Sequence, residues 1–137
     1  MGTRRLGREL ALQVLYALDI NPMDIRTFLP AFWENNPSPA DARAFAGQLI
    51  EGVEAHRTDL DALISAKAQH WAITRMARVD LNLIRLAAYE LLYRDDIPKK
   101  VIINEAVEIA KKFGSEDSPA FVNGILDEIP VPEGKAE

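Results

Sequence analysis

The chain has 137 residues, 48% of them apolar and 27% charged, with a formal net charge of −5. That is an ordinary balance for one soluble globular domain, and the acidic sign argues against a protein that coats nucleic acid indiscriminately. With no cysteine, disulfides, thiolate chemistry and cysteine zinc sites are excluded, and no apolar run of roughly 18 residues suggests a membrane span.

The first helix is predicted from Thr3, as its cap, to about Ile20, with Leu6, Leu10, Val14, Ala17 and Leu18 inward. Arg5, Arg8, Leu12, Tyr16 and Asp19 fall together on another face, at the i, i+3 and i+4 spacings of a helix. Two explanations of that face stand. A neighbouring helix covers Leu12 and Tyr16, or the arginines hold phosphate while Leu12 and Tyr16 meet a protein. Arg4, Arg5 and Arg8 against Glu9 make this end locally +2, so the remainder carries −7 of the net −5. An acidic body with a basic end suits a small, defined nucleic-acid site.

Asn21 and Pro22 are expected to open a second helix, which Pro30 ends or kinks. Phe32 and Trp33 read as core anchors. The clearest loop is ENNPSPAD, residues 34–41. A third helix is expected from about Pro39 to His56, with Phe45, Leu49, Ile50 and Val53 inward, and a fourth from Thr58, its cap.

From about Arg78 a helix is apolar on nearly every side, which marks it as central. Arg85 and Glu90 interrupt it. Buried charges need partners, so an ion pair or hydrogen bonds are expected there, with Glu105 a further candidate for Arg85.

Pro98 suits the first turn of the next helix, whose inner side carries Ile102, Ala106, Ile109 and Phe113. Gly114 is expected to be a left-handed cap. After the acidic turn Ser115-Glu116-Asp117-Ser118, Ser118 as N-cap and Pro119 begin the last helix, with Val122, Ile125, Leu126 and Ile129 inward. Residues 131–137 read as a short frayed tail. The prediction is an all-α domain of about seven helices, spanning 1–137.

No catalytic signature is present. His56 and His70 stand apart from any metal-ligand cluster, and there is no glycine-rich phosphate loop or nucleophile elbow. Glu105 and Glu108, one turn apart beside Lys112, read as a salt-bridged face.

Two stretches carry a family resemblance. The run from Trp71 to Glu128, containing LIRLAAYEL, IPKKVIINEAVEIAKKFG and FVNGILD, closely resembles the second half of the bacterial NusB antitermination factors. RRLGRELALQVLYALD is similar to their first helix. The resemblance implies an all-helical fold of two subbundles and a non-enzymatic, cytoplasmic RNA-binding role without cofactor or metal. It implies pairing with NusE, a small-subunit ribosomal protein, on single-stranded boxA RNA, as part of an RNA polymerase antitermination complex in ribosomal RNA operons. Arg4, Arg5, Arg8, Asp117 and Phe121 match RNA-contacting positions, with Lys111 beside them. Tyr16 and Asp80 match the NusE-facing surface, with Leu12 next to Tyr16. Two alternatives remain: a NusB-like accessory to a ribosomal RNA methyltransferase, and a homodimeric scaffold. The RNA assignment requires Arg8 and Phe121 to lie on one face.

Overall fold

The computed structural model describes residues 2–135. Among these there are six α-helices and one 3-10 turn, and no strand: α1 Thr3–Ile20, α2 Ile25–Asn35, α3 Ala40–Lys67, the 3-10 turn Ile73–Arg75, α4 Arg78–Tyr93, α5 Lys99–Phe113 and α6 Ser118–Asp127.

The apolar helix is the centre of the fold. α4 packs against α1 and α3 on one side and against α5 and α6 on the other. Leu81, Leu83, Ile84, Leu86 and Leu91 are all at most 1% exposed, each contributing about 1.5–3 kcal/mol of burial. The two charges expected to trouble this helix do not pair with each other or through Glu105 and Arg85. Arg85 donates to both oxygens of Asp61 on α3, at 2.7 and 2.9 Å, and Glu90 takes Arg8 of α1.

Where two helices were expected to meet between His56 and Thr58, α3 runs unbroken. Leu49, Val53, Leu60 and Ile64 stay in one helical phase across the supposed break, all buried, and between Val53 and Leu60 no Gly or Pro interrupts the chain. Thr58 is simply an exposed helical residue. α2 begins later than expected. Asp24, not Asn21, is its cap and accepts from the Arg26 N–H at 2.9 Å, and Pro30 lies inside the helix. Phe32 and Trp33 are half-buried against the core, stacked edge to face.

α1 starts on Gly2, without a side-chain cap; Thr3 instead reaches Asp41 at 3.3 Å. Gly7 lets α1 lie close on α3, since an added Cβ would meet the Phe45 ring at 2.8 Å. Gly114 is not left-handed, with φ −96° and ψ −168°. Its reason is space: a Cβ there would run into the Ser118 side chain and sit 2.9 Å from the Ala110 carbonyl. Ser118 is buried and accepts from the Ser115 N–H at 2.9 Å, while Asp117 occupies the N-cap position of α6. The chain end is tied down as far as Lys135, whose ammonium donates to the Arg94 carbonyl. The last two residues of the expected tail lie outside the described ones.

Candidate functional site

Arg4 and Arg8 gather with Arg94 around one aromatic ring. The guanidinium carbons of Arg4, Arg8 and Arg94 lie 5.3, 5.5 and 5.3 Å from the centre of Phe45, within cation–π range. Each arginine is also matched by a carboxylate. Arg4 donates to Asp96 at 3.2 Å and stays half exposed. Arg5 donates to Glu105 through Nε at 3.0 Å and through its terminal nitrogen. The Arg5 hydrogen bonds hold the Glu105 carboxyl below its usual range despite partial burial, and raise Arg5 in turn. Arg94 does most to bring Asp96 down to about 2.

Arg8 departs from its expected role. Its side chain is 4% exposed and its guanidinium is taken up by Glu90, with Glu105 at 3.6 Å. It holds α1 to α4 and α5 and offers no free donor face to a phosphate. Leu12, at 2% exposure, is likewise covered, so the exposed surface of α1 is narrower than its wheel implies.

Asp117 and Phe121 occupy the start of α6. Asp117 is exposed and makes no capping bond. Phe121 is half-buried, one turn on, with its ring 5.9 Å from that of Trp71 and nearly perpendicular to it. The requirement that Arg8 and Phe121 lie on one face is not met: Arg8 is buried, the two do not share a compact surface, and Arg8 drops out of the RNA-contacting set. Arg8 packs at Phe45 near the start of α3, whereas Phe121 lines a groove with Lys67 at its end. Roughly 33 Å of helix separates Phe45 from Lys67. α5 connects the two clusters, with Glu105 beside Arg5 and Phe113 leading to the acidic turn. Lys111 is exposed on α5 and reaches Glu108 at 3.3 Å.

A third feature lies between α1, α2, α4 and α5. Leu12, Tyr16, Phe28, Phe32, Val79 and Phe113 line an apolar groove of about 340 Å³. Tyr16 is 39% exposed, and Ile20, one turn further along α1, and Met23 just after the helix are exposed as well. Asp80, next to Val79, is buried, and its Oδ1 has no hydrogen-bond partner among the described residues. Beneath this region Asp19 ties α1 to the core. Burial pushes its carboxyl up, but hydrogen bonds from Asn82 and Arg78, at 3.0 and 3.2 Å, outweigh that and lower it.

Sequence reasoning missed Trp71, read only as the start of a segment, and the Phe28–Phe32 wall of the groove. An exposed tryptophan has no sequence signature of its exposure. Among the described residues no group of His, Asp or Glu is placed to hold a metal ion, and no helix is long and apolar enough to cross a membrane.

These surfaces lie on a chain with many close relatives. It is 56% identical to the transcription antitermination protein NusB of Geobacter sulfurreducens, over 94% of each chain, and 49% identical to that of Myxococcus xanthus, over 96% of each. Its structure superposes on T. maritima NusB with a TM-score of 0.85 at 34% identity, covering 98% of this chain and 96% of that one. It also matches a chain from a structure of the antitermination factors NusB and NusE in complex with dsRNA, with a TM-score of 0.83 at 28% identity, over 94% and 96%. The NusB family model aligns with residues 5–130, which takes in α1 from Arg5 onward, α2 through α6, and the three surfaces apart from Arg4. The chain belongs to the NusB family.

Proposed function

We propose that this chain is a cytoplasmic transcription antitermination factor that acts as one binding unit and performs no catalysis. It pairs with NusE and takes a boxA-type single-stranded RNA into an antitermination complex on RNA polymerase in ribosomal RNA operons. The RNA runs as an extended strand from Arg4 and Arg5, past Lys111, to Asp117 and Phe121. The arginines and Lys111 hold phosphate and set the salt dependence. Phe121 stacks a base, and Asp117 accepts from an exocyclic amino group. Arg8 serves this surface indirectly, by fixing the helix that bears Arg4 and Arg5. NusE covers Tyr16 and the apolar groove, with Asp80 beneath.

The observation that carries the reading is the start of α6, where an exposed carboxylate and an accessible aromatic ring stand one turn apart. A carboxylate repels phosphate, so beside an RNA strand it is useful only for reading bases. The test is a binding titration with boxA, scrambled and duplex RNA, with and without NusE, at two salt concentrations. Tight, salt-dependent binding of boxA that needs NusE is expected. Equal affinity for boxA and scrambled RNA in the presence of NusE would overturn the reading.

The exposed apolar face around Tyr16, Ile20 and Met23 also favours a homodimer that masks the NusE surface. Sedimentation with and without NusE decides between competing and independent association.

A further inference from the structure

Trp71 is the largest side chain that the fold leaves in solvent, at 54% exposure. It stands at 80° to Phe121, with ring centroids 5.9 Å apart, so the two rings form a corner rather than a closed stack. The corner opens into a groove of about 430 Å³ bordered by Lys67, Gln69, His70 and Glu128. Here an aromatic face stays free beside the ring already assigned to a base.

The polar surroundings restrict what can enter. The groove lies over the C-terminal end of α3, where Ala66, Lys67 and Ala68 line it. The Ile64 carbonyl is taken by the Ala68 N–H, but the carbonyls after it in the last turn have no donor within the helix. That helix end is partially negative, and Glu128 adds a full negative charge. Phosphate is disfavoured inside such a groove, while a flat ring bearing an N–H donor is favoured. Lys67, which also lines the groove, suits the phosphate attached to such a ring.

We propose that Trp71 and Phe121 form two walls of a slot for one unpaired nucleobase carrying an exocyclic amino group. The slot rests on the RNA-binding function above and extends it to Trp71, a residue that function does not include. Adenine, cytosine and guanine meet the requirement through their amino groups. Uracil lacks the amino group, offers only its single ring N3–H donor and is held less well.

The test uses the full chain with NusE and a boxA RNA series in which each nucleotide in turn is made abasic. The wild-type protein loses about 5- to 150-fold in affinity when the slot's base is removed, the range expected for one aromatic-stacked base. Trp71→Ala shows that loss with intact RNA and no further loss with the abasic RNA at that position. Trp71→Phe, which keeps a stacking face, retains most of the affinity. In a Trp33→Phe background, Trp71 fluorescence is quenched on saturation with RNA. Equal abasic penalties in wild type and Trp71→Ala at every position, or unchanged Trp71 fluorescence on saturation, overturn the slot and leave RNA binding standing. Failure of the wild-type protein to bind boxA with NusE removes both. Should Trp71→Ala fail to fold, Trp71→Leu and the fluorescence titration carry the same decision.

Discussion

Arg8 grips both carboxylate oxygens of Glu90, with nitrogen–oxygen distances of 2.8–3.1 Å, and neither side chain is more than 4% exposed. Removing one partner of such a pair strands the other charge in the core, which costs about 3–5 kcal/mol. Arg8→Ala is therefore expected to lower urea stability by about that much. Arg8→Met combined with Glu90→Leu, which removes both charges and keeps the volume, restores most of it. A single variant as stable as wild type would show that the pair contributes nothing.

The same geometry separates the arginines in RNA binding. Arg4 is half exposed and shares Asp96 with Arg94, so it can turn to a phosphate; Arg8 cannot without abandoning Glu90. Under conditions where every variant is folded, Arg4→Ala should reduce the slope of log affinity against log salt by about 0.7, the value for one phosphate on a single strand. Arg8→Ala should leave that slope unchanged. A lower slope for Arg8→Ala would place its guanidinium on the RNA after all.

Acid should weaken the fold through carboxylates whose pKa is depressed on folding. Asp19 and Glu105 lie below their ordinary values, and Asp96 is held at about 2 against 3.8. A depressed folded-state pKa gives stability that is full above the unfolded value and lost as pH falls through the folded one. The window is thus from about pH 4.5 down to about 2. Asp96 contributes little, being nearly half exposed to solvent screening. Urea midpoints should hold above that window and fall within it, and Asp19→Asn should be less stable at pH 7 with a shallower acid decline. A decline of equal steepness in Asp19→Asn would exclude its network as a source.

Gly114→Ala should destabilise the α5–α6 turn, by about 1–3 kcal/mol for an overpacked site, although its φ of −96° is open to any residue. The obstacle is the Ser118 side chain, so Ser118→Gly in the same chain should recover part of the loss. Thermal melts of the single and double variants check this. If the double variant loses the sum of both single effects, the clash is not the reason for the glycine.

The inward residues of α5 and α6 and the central place of α4 follow from periodicity, because burial there is a matter of which face carries Ile, Leu and Val. What stayed hidden depends on partners distant in the chain. Arg8 lies 82 residues from Glu90 and Arg5 lies 100 from Glu105, so a cluster that reads as +2 in sequence is largely neutralised in space. Leu12 met the covering helix that its wheel position left open. The unbroken α3 was readable from the phase shared by Val53 and Leu60, but Thr58 imitated a cap. Asp117 and Phe121 were reached through family resemblance, and Trp71 through neither route, because its exposure is set by where the segment after α3 meets α6.

The Asp80 carboxylate separates a structural role from a recognition role. Its Oδ1 is buried without a donor, and an unsatisfied buried acceptor costs roughly 1–3 kcal/mol. Asp80→Asn keeps the shape, removes a charge and adds a donor, so the isolated chain should be as stable as wild type or more so. If NusE supplies the missing donor, the same variant should bind it less tightly, by about tenfold for one charge-assisted hydrogen bond. Tyr16→Ala offers the complementary case. Its side chain is 39% exposed beside the apolar groove, so it should cost little stability yet weaken NusE by about 30-fold, as an aromatic anchor does. Calorimetric titration with NusE and melting of the free proteins measure both. An Asp80→Asn protein that binds NusE like wild type would mean the orphan oxygen is unrelated to the partner.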